Sequence, residues 1–202
     1  MKVLELFSGT GSVGKVCKEK GWEVVSLDLK NADINIDILK WDYKVFAPET
    51  FDIIWASPPC TGFSVAAIGR NWEKTETDAI PKTDTARLGI ELVRQTIQII
   101  DHFQPKYFFI ENPRGMLRTL QIMQRFKRQG VTYCQYGDDK MKPTDIWTNS
   151  ESWVPRPMCK NGDSCHISAP RGSRTGTQGL ANAYERSKIP EQLCLEILNS
   201  CI

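Results

Sequence analysis

Short apolar runs alternate along the chain with longer stretches whose apolar positions recur at helical spacing. Residues 2–7, 23–27, 51–56 and 106–110 are the runs, rich in Val, Ile, Leu and aromatics, as buried strands are. Between them, residues 13–20 form a short amphipathic stretch that Gly21 closes in the position after a helix C-cap. Residues 84–103 carry Leu88, Leu92, Ile99 and Ile100 on roughly one helical face, and residues 116–127 also read as helix. Strands separated by helices at this rhythm predict an α/β fold, a doubly wound and mostly parallel sheet with right-handed crossovers.

After about Gly130 the texture changes. Residues 131–136 and 144–149 read as two short strands that are candidates to pair, and 150–177 read as loop, punctuated by prolines and glycines. Ile189-Pro190 opens a last helix with Leu193, Ile197 and Leu198 on one face. The expected organisation is a core over 1–149, a small loop-rich insert over 150–185, and a helix over 186–202 that completes the core.

Composition narrows the class. A chain of 202 residues, 41% hydrophobic, suffices for one ordinary domain and is too short for two large ones. A formal net charge of +2 neither requires nor excludes a nucleic-acid partner, because a basic stripe can sit within a neutral total. Seven cysteines at irregular spacings, with no secretory signal before the first strand, read as free thiols of a reducing cytoplasm. No apolar run reaches the length of a membrane helix.

In sheets of this kind ligands bind beyond the carboxyl ends of the strands, and four reactive features of this sequence fall there. Phe7-Ser8-Gly9-Thr10-Gly11-Ser12 is a glycine-rich strand–helix turn that lets backbone N–H groups approach a nucleotide-like ligand, or else is only a tight turn. Asp28, followed by Leu29, ends the second strand, where a carboxylate accepts from ribose hydroxyls or caps a turn. Asp37-Ile38 stands where it could address an adenine amino group. Pro58-Pro59-Cys60 sets a thiol on a stiff turn; a thiolate is both a strong nucleophile and a good leaving group. Glu111 follows Phe108-Phe109-Ile110 at the edge of an apolar wall, where its pKa can rise; the alternative is a carboxylate at a helix N-terminus. Arg114 is a candidate phosphate or base contact.

Taken together and in this order, these pieces resemble the DNA (cytosine-5)-methyltransferase family. Phe7–Gly11 resembles its S-adenosylmethionine loop, Asp28 its ribose-binding acid and Asp37 its adenine contact. Pro58-Pro59-Cys60 with Phe63-Ser64 is similar to its nucleophile motif. Glu111-Asn112 matches the start of its Glu-Asn-Val motif, with Pro113 in place of Val. The resemblance implies a Rossmann-like fold of the class I methyltransferase type and a methyl transfer from S-adenosylmethionine to C5 of cytosine. It implies that Cys60 adds to C6 while Glu111 holds N3 and the exocyclic amine. It implies a target base flipped out of duplex DNA, contacts from Ser64, and a mobile loop over residues 61–81 that closes on the base.

Two departures from the family pattern stand out. Where the family has Gln-x-Arg-x-Arg, this chain has Gln135 and then only Lys140 and Lys142, which lack the guanidinium fork. Residues 150–185 are too few for a conventional target-recognition domain, which resembles the short forms of phages and mobile elements, in the host cytoplasm. The insert offers Arg156, Lys160, Arg171 and Arg174, with Trp147 and Trp153 nearby, to a nucleic acid. A separate recognition subunit is compatible with it. It also carries Cys159, Cys165 and His166, with Cys134 upstream. That spacing fits no standard finger, so the expectation is no metal and free thiols, with zinc on these four as the alternative. The competing functions are an RNA (tRNA) cytosine-5 methyltransferase and a non-catalytic module that binds the cofactor or nucleic acid.

Overall fold

Successive residues of β1 (Lys2–Leu6) face opposite ways, so Leu4 and Leu6 enter one core while Val3 and Glu5 face the other. β4 (Ile53–Ala56) repeats this, with Ile54 and Ala56 on the first side and Ile53 and Trp55 on the second. The computed structural model describes residues 1–76, 78–168 and 182–202. Its main sheet runs β3-β2-β1-β4-β7-β9-β8, with β2 (Glu23–Asp28), β3 (Ile34–Asn35) and β7 (Tyr107–Pro113) parallel to β1 and β4. β9 (Pro143–Thr148) is antiparallel to both β7 and β8 (Lys127–Thr132). The expected α/β architecture is therefore present, and a late antiparallel pair closes one edge, but its first strand is Lys127–Thr132, while Tyr133–Tyr136, expected as strand, form a 3-10 turn.

Helices cover both faces. α1 (Ser12–Glu19) links β1 to β2 and shares its side with α5 (Glu191–Asn199), the final helix, which follows the short α4 (Ala183–Ser187), through Val13, Val16, Leu193 and Ile197. α3 (Asp84–Phe103) links β4 to β7 across the other face, capped by the Thr83 hydroxyl, which accepts from Ala86 N–H. The buried stripe of α3 is Ala86, Gly89, Val93, Ile97, Ile100 and Phe103; Leu88 lies off it and is exposed.

Two further segments depart from expectation. Residues 116–127 form two short 3-10 turns, Met116–Thr119 and Gln121–Met123, and not a helix. The Arg118 guanidinium is held by buried Asp145 of β9 at 2.8 and 3.0 Å, and Leu120 is extended between the turns. That tertiary fork outweighs the apolar spacing of the segment. Residues 61–81 are not a featureless loop. They hold α2 (Ile68–Asn71) and the hairpin β5 (Trp72–Lys74) and β6 (Ala79–Pro81), fixed by the buried, stacked pair Phe63–Trp72. Trp72 Nε1 donates to the Gly62 carbonyl at 2.7 Å.

Candidate active site

The turn after β1 is built on backbone conformations that favour glycine. Gly9 and Gly11 take φ of 48° and 65°, and Phe7 takes 57° with its side chain against the cleft. Asp28 locks this turn: its Oδ2 accepts from Gly9 N–H at 2.9 Å and its Oδ1 from Leu29 N–H at 2.6 Å. The carboxylate thus fixes local backbone, as in the turn reading, and also lines the cleft. Asp37 accepts from Leu39 N–H at 3.0 Å, starting a 3-10 turn beside Ile38.

Two adjoining cavities open at the carboxyl ends of the strands. The larger, about 550 Å³, lies between Asp28, Leu29, Asp37 and Ile38 on one side and Leu88 and Leu92 of α3 on the other. The exposure of Leu88 is explained here, since it forms cavity wall. The second, about 280 Å³, is lined by Ser8, Thr10, Ser12 and Pro58 and contains both Cys60 and Glu111. Phe7, Gly9, Ser57, Pro59, Thr61 and Ser187 border both, which makes them one bipartite cleft.

Cys60 is carried on the rigid Pro58-Pro59 turn after β4, and Asn112 of β7 clamps that turn by donating Nδ2–H to the Pro58 carbonyl at 2.7 Å. Cys60 is exposed over the residue as a whole, yet its thiol sits against the cleft wall. That desolvation, then the Glu111 charge, raises the thiol pKa, while Lys142 and Arg186 oppose the shift. Glu111 is buried in β7, and Tyr133 donates its phenol proton to Glu111 Oε1 at 2.8 Å. Burial raises the Tyr133 pKa further than the adjacent carboxylate does, which keeps it a neutral donor. Lys142 Nζ lies 4.4 Å from the Tyr133 ring centroid and donates to the Arg186 carbonyl at 2.8 Å.

Glu5 enters the same cavity although the sequence reading passed over it. Burial raises its carboxyl to about 7, against the Gly14 and Val13 N–H groups at the start of α1, which favour the charged form. A Cβ at Gly14 would collide with Glu5 Oε2. The signal was present: an acid in the middle of a buried strand, followed by a glycine in the next helix. Tyr133 was also missed.

Other expected residues stand apart. Ser64 and Arg114 are exposed away from both cavities, and Lys140 pairs with Asp139 at 3.5 Å and Asp138 at 4.0 Å. Of the two lysines, only Lys142 reaches the cleft. Arg171 and Arg174 lie outside the described residues. Trp147 and Trp153 are core side chains, and Arg156 is occupied by Glu196 and the Gln135 carbonyl. None of these three is disposed to stack on a base. Cys159 and Cys165 are brought together, their sulfurs in contact beside Cys134 and His166.

The family profile of the C-5 cytosine-specific DNA methylases matches residues 1–133, which include β1 through Tyr133 and all four strand-end features. The chain belongs to this family. A probable DNA (cytosine-5)-methyltransferase of Frog virus 3 is 35% identical over 217 residues, covering 100% of both chains, so the similarity extends past the profile. Type II methyltransferase M.HpaII of Haemophilus parainfluenzae is 31% identical over 120 residues; these cover 57% of this chain and 29% of that relative. A crystal structure of Spodoptera frugiperda DNMT2 superposes with a TM-score of 0.50 at 19% identity, covering 83% of this methylase-family chain and 57% of that one. At that identity it speaks for the fold alone. Among the described residues no helix is long and apolar enough to cross a membrane.

Proposed function

We propose that the chain transfers a methyl group from S-adenosylmethionine to C5 of cytosine in DNA, with Cys60 as the nucleophile. The observation that carries this reading is that Cys60 and Glu111, from the ends of β4 and β7, line one cavity that adjoins a second with carboxylates at its wall.

The larger cavity suits S-adenosylmethionine. Leu29, Ile38, Leu88 and Leu92 supply apolar walls for an adenine, Asp28 an acceptor for ribose hydroxyls, and Asp37 an acceptor for an exocyclic amine. The turn around Gly9 leads from there to Glu5, whose carboxylate is suited to an amino group. When bound, the cofactor supplies an electrophilic methyl group.

The protein's own residues supply the rest. Cytosine C5 is a poor nucleophile until a group adds to C6. Cys60 loses its proton to solvent and the thiolate bonds to C6, while Glu111 shares a proton with N3 and accepts from the exocyclic amine, so that the addition leaves an enamine with a nucleophilic C5. Tyr133 keeps the Glu111 carboxylate aimed, and Lys142 offsets part of the negative charge that Cys60 and Glu111 bring together. After methyl transfer, loss of the C5 proton and expulsion of the Cys60 thiolate restore the ring. A base reaches such a cleft only when unstacked from the duplex.

The direct test is a transfer assay with methyl-labelled cofactor on duplex DNA and on RNA in parallel. Label at C5 of cytosine in DNA, lost in Cys60→Ser, is the expected outcome. Label in RNA alone, or label in DNA that survives Cys60→Ser, would overturn the reading.

A further inference from the structure

Residues 154–168 are tied to the sheet although little of the segment is apolar core. Val154, Met158 and Ile167 are all exposed. What gathers this segment is a four-residue cluster: Cys134 from the turn after β8, with Cys159, Cys165 and His166 from the segment itself. The four donor atoms lie within 4.8 Å of one another.

We propose that this cluster is a structural Zn²⁺ site with a Cys3His ligand set. Three observations carry it. The first is spacing. Tetrahedral zinc with bonds of about 2.3 Å to sulfur and about 2.0 Å to nitrogen sets ligand edges of roughly 3.5–3.8 Å. Cys134 and Cys165 Sγ are 3.6 Å apart, within that range. The second is the separation of the Cys159 and Cys165 backbones. The Cα atoms are 7.4 Å apart, beyond the roughly 4.4–6.8 Å that a disulfide spans, whereas two thiolates on one ion accommodate it. A disulfide would also leave Cys134 and His166 converging on nothing. The third is an unsatisfied buried atom: His166 Nε2 has no hydrogen-bond partner among the described residues, although the ring lies in the cluster. Imidazole with one nitrogen on a metal is the common reason to bury it there. Gln135 Nε2 donates to Cys159 Sγ at 2.6 Å, as outer-shell donors to zinc thiolates do.

Zinc binding replaces the thiol protons of the three cysteines, which leave as H⁺, and needs no oxidant. The ion joins the insert to the β8–β9 edge. Cys134 directly follows Tyr133, so the site also steadies the residue that holds Glu111.

The test is metal analysis of protein purified without chelators, combined with a thiol count after non-reducing denaturation. Expected are about one zinc per chain and all seven cysteines reactive. Five reactive thiols with a Cys159–Cys165 linked peptide, or seven with no zinc, would overturn the site. Cys134→Ser and His166→Ala should each lower zinc content at least about tenfold, whereas His166→Cys should retain it. Full zinc in Cys134→Ser would place the metal elsewhere. Co²⁺ substituted into the unmutated protein should give thiolate-to-metal charge-transfer bands, and this requires no variant to fold. Their absence would count against the ligand set.

Discussion

Tyr133 donates its hydroxyl proton to Glu111 Oε1 at 2.8 Å, across the seam between the parallel part of the sheet and its antiparallel edge. The bond is buried, and the phenol is held neutral by its surroundings, so it acts as a fixed donor to a carboxylate. Removing one hydroxyl from a charged hydrogen bond costs about 1.5 kcal/mol, or roughly tenfold in rate if the carboxylate must be aimed. Tyr133→Phe is therefore expected to lower kcat about tenfold with the KM for the cofactor unchanged. Steady-state kinetics check it, and an unchanged kcat would remove Tyr133 from the mechanism.

Glu111 in turn raises the pKa of Cys60, after desolvation. Glu111→Gln removes that charge, so the Cys60 thiol is expected to ionise at lower pH. Alkylation of Cys60 by iodoacetamide, followed by mass spectrometry, should then run about two- to fivefold faster near neutral pH than in the parent protein. Cys60 is exposed, and peptide mapping separates its alkylation from that of the other cysteines. Equal rates would mean that the two groups do not sense one another.

Glu5 gives a stability signature. Its carboxyl is raised from 4.5 to about 7 when folded, so between these values the folded chain holds a proton that the unfolded chain has lost. Stability consequently falls as pH rises through that window and levels off above it, a loss of about 3 kcal/mol. Glu5→Gln is expected to remove this slope and to melt several degrees higher than the parent at pH 8. Thermal melts of both proteins from pH 5 to 8 check it; parallel curves would refute the burial argument.

The Asn112 clamp on Pro58 is buried at 2.7 Å. Asn112→Ala leaves the Pro58 carbonyl without this donor and loosens the turn that presents Cys60. A loss of about 1–3 kcal/mol in denaturant unfolding is expected, with slower methyl transfer and unchanged cofactor affinity. Weakened cofactor binding with normal stability would contradict a clamping role.

Much of this was legible in the chain because parallel sheets concentrate function at strand ends. Asp28, Cys60 and Glu111 each follow an apolar run, so their convergence needed only the topology. Glu5 was hidden by its position inside a strand; its role depends on Gly14 leaving room for a carboxylate at the start of α1. Tyr133 was illegible for a different reason. Its partner lies on a strand it meets only through the β9 return, a pairing that local pattern does not specify. The segment 116–127 misled because its apolar spacing suits a helix, while the Arg118–Asp145 fork is a long-range bond. Residues 61–81 read as loop, yet Phe63 and Trp72 were the sign of a packed anchor.

The central claim is that Cys60 bonds to C6 of a cytosine. Duplex DNA carrying 5-fluorocytosine tests it most directly, since fluorine at C5 blocks the elimination that frees the enzyme. With S-adenosylmethionine present, the parent protein is expected to form an adduct stable to denaturing electrophoresis, mapped by mass spectrometry to the Cys60 peptide. Cys60→Ser should form none while still binding cofactor. No adduct on varied sequences, or an adduct at another residue, would contradict the account.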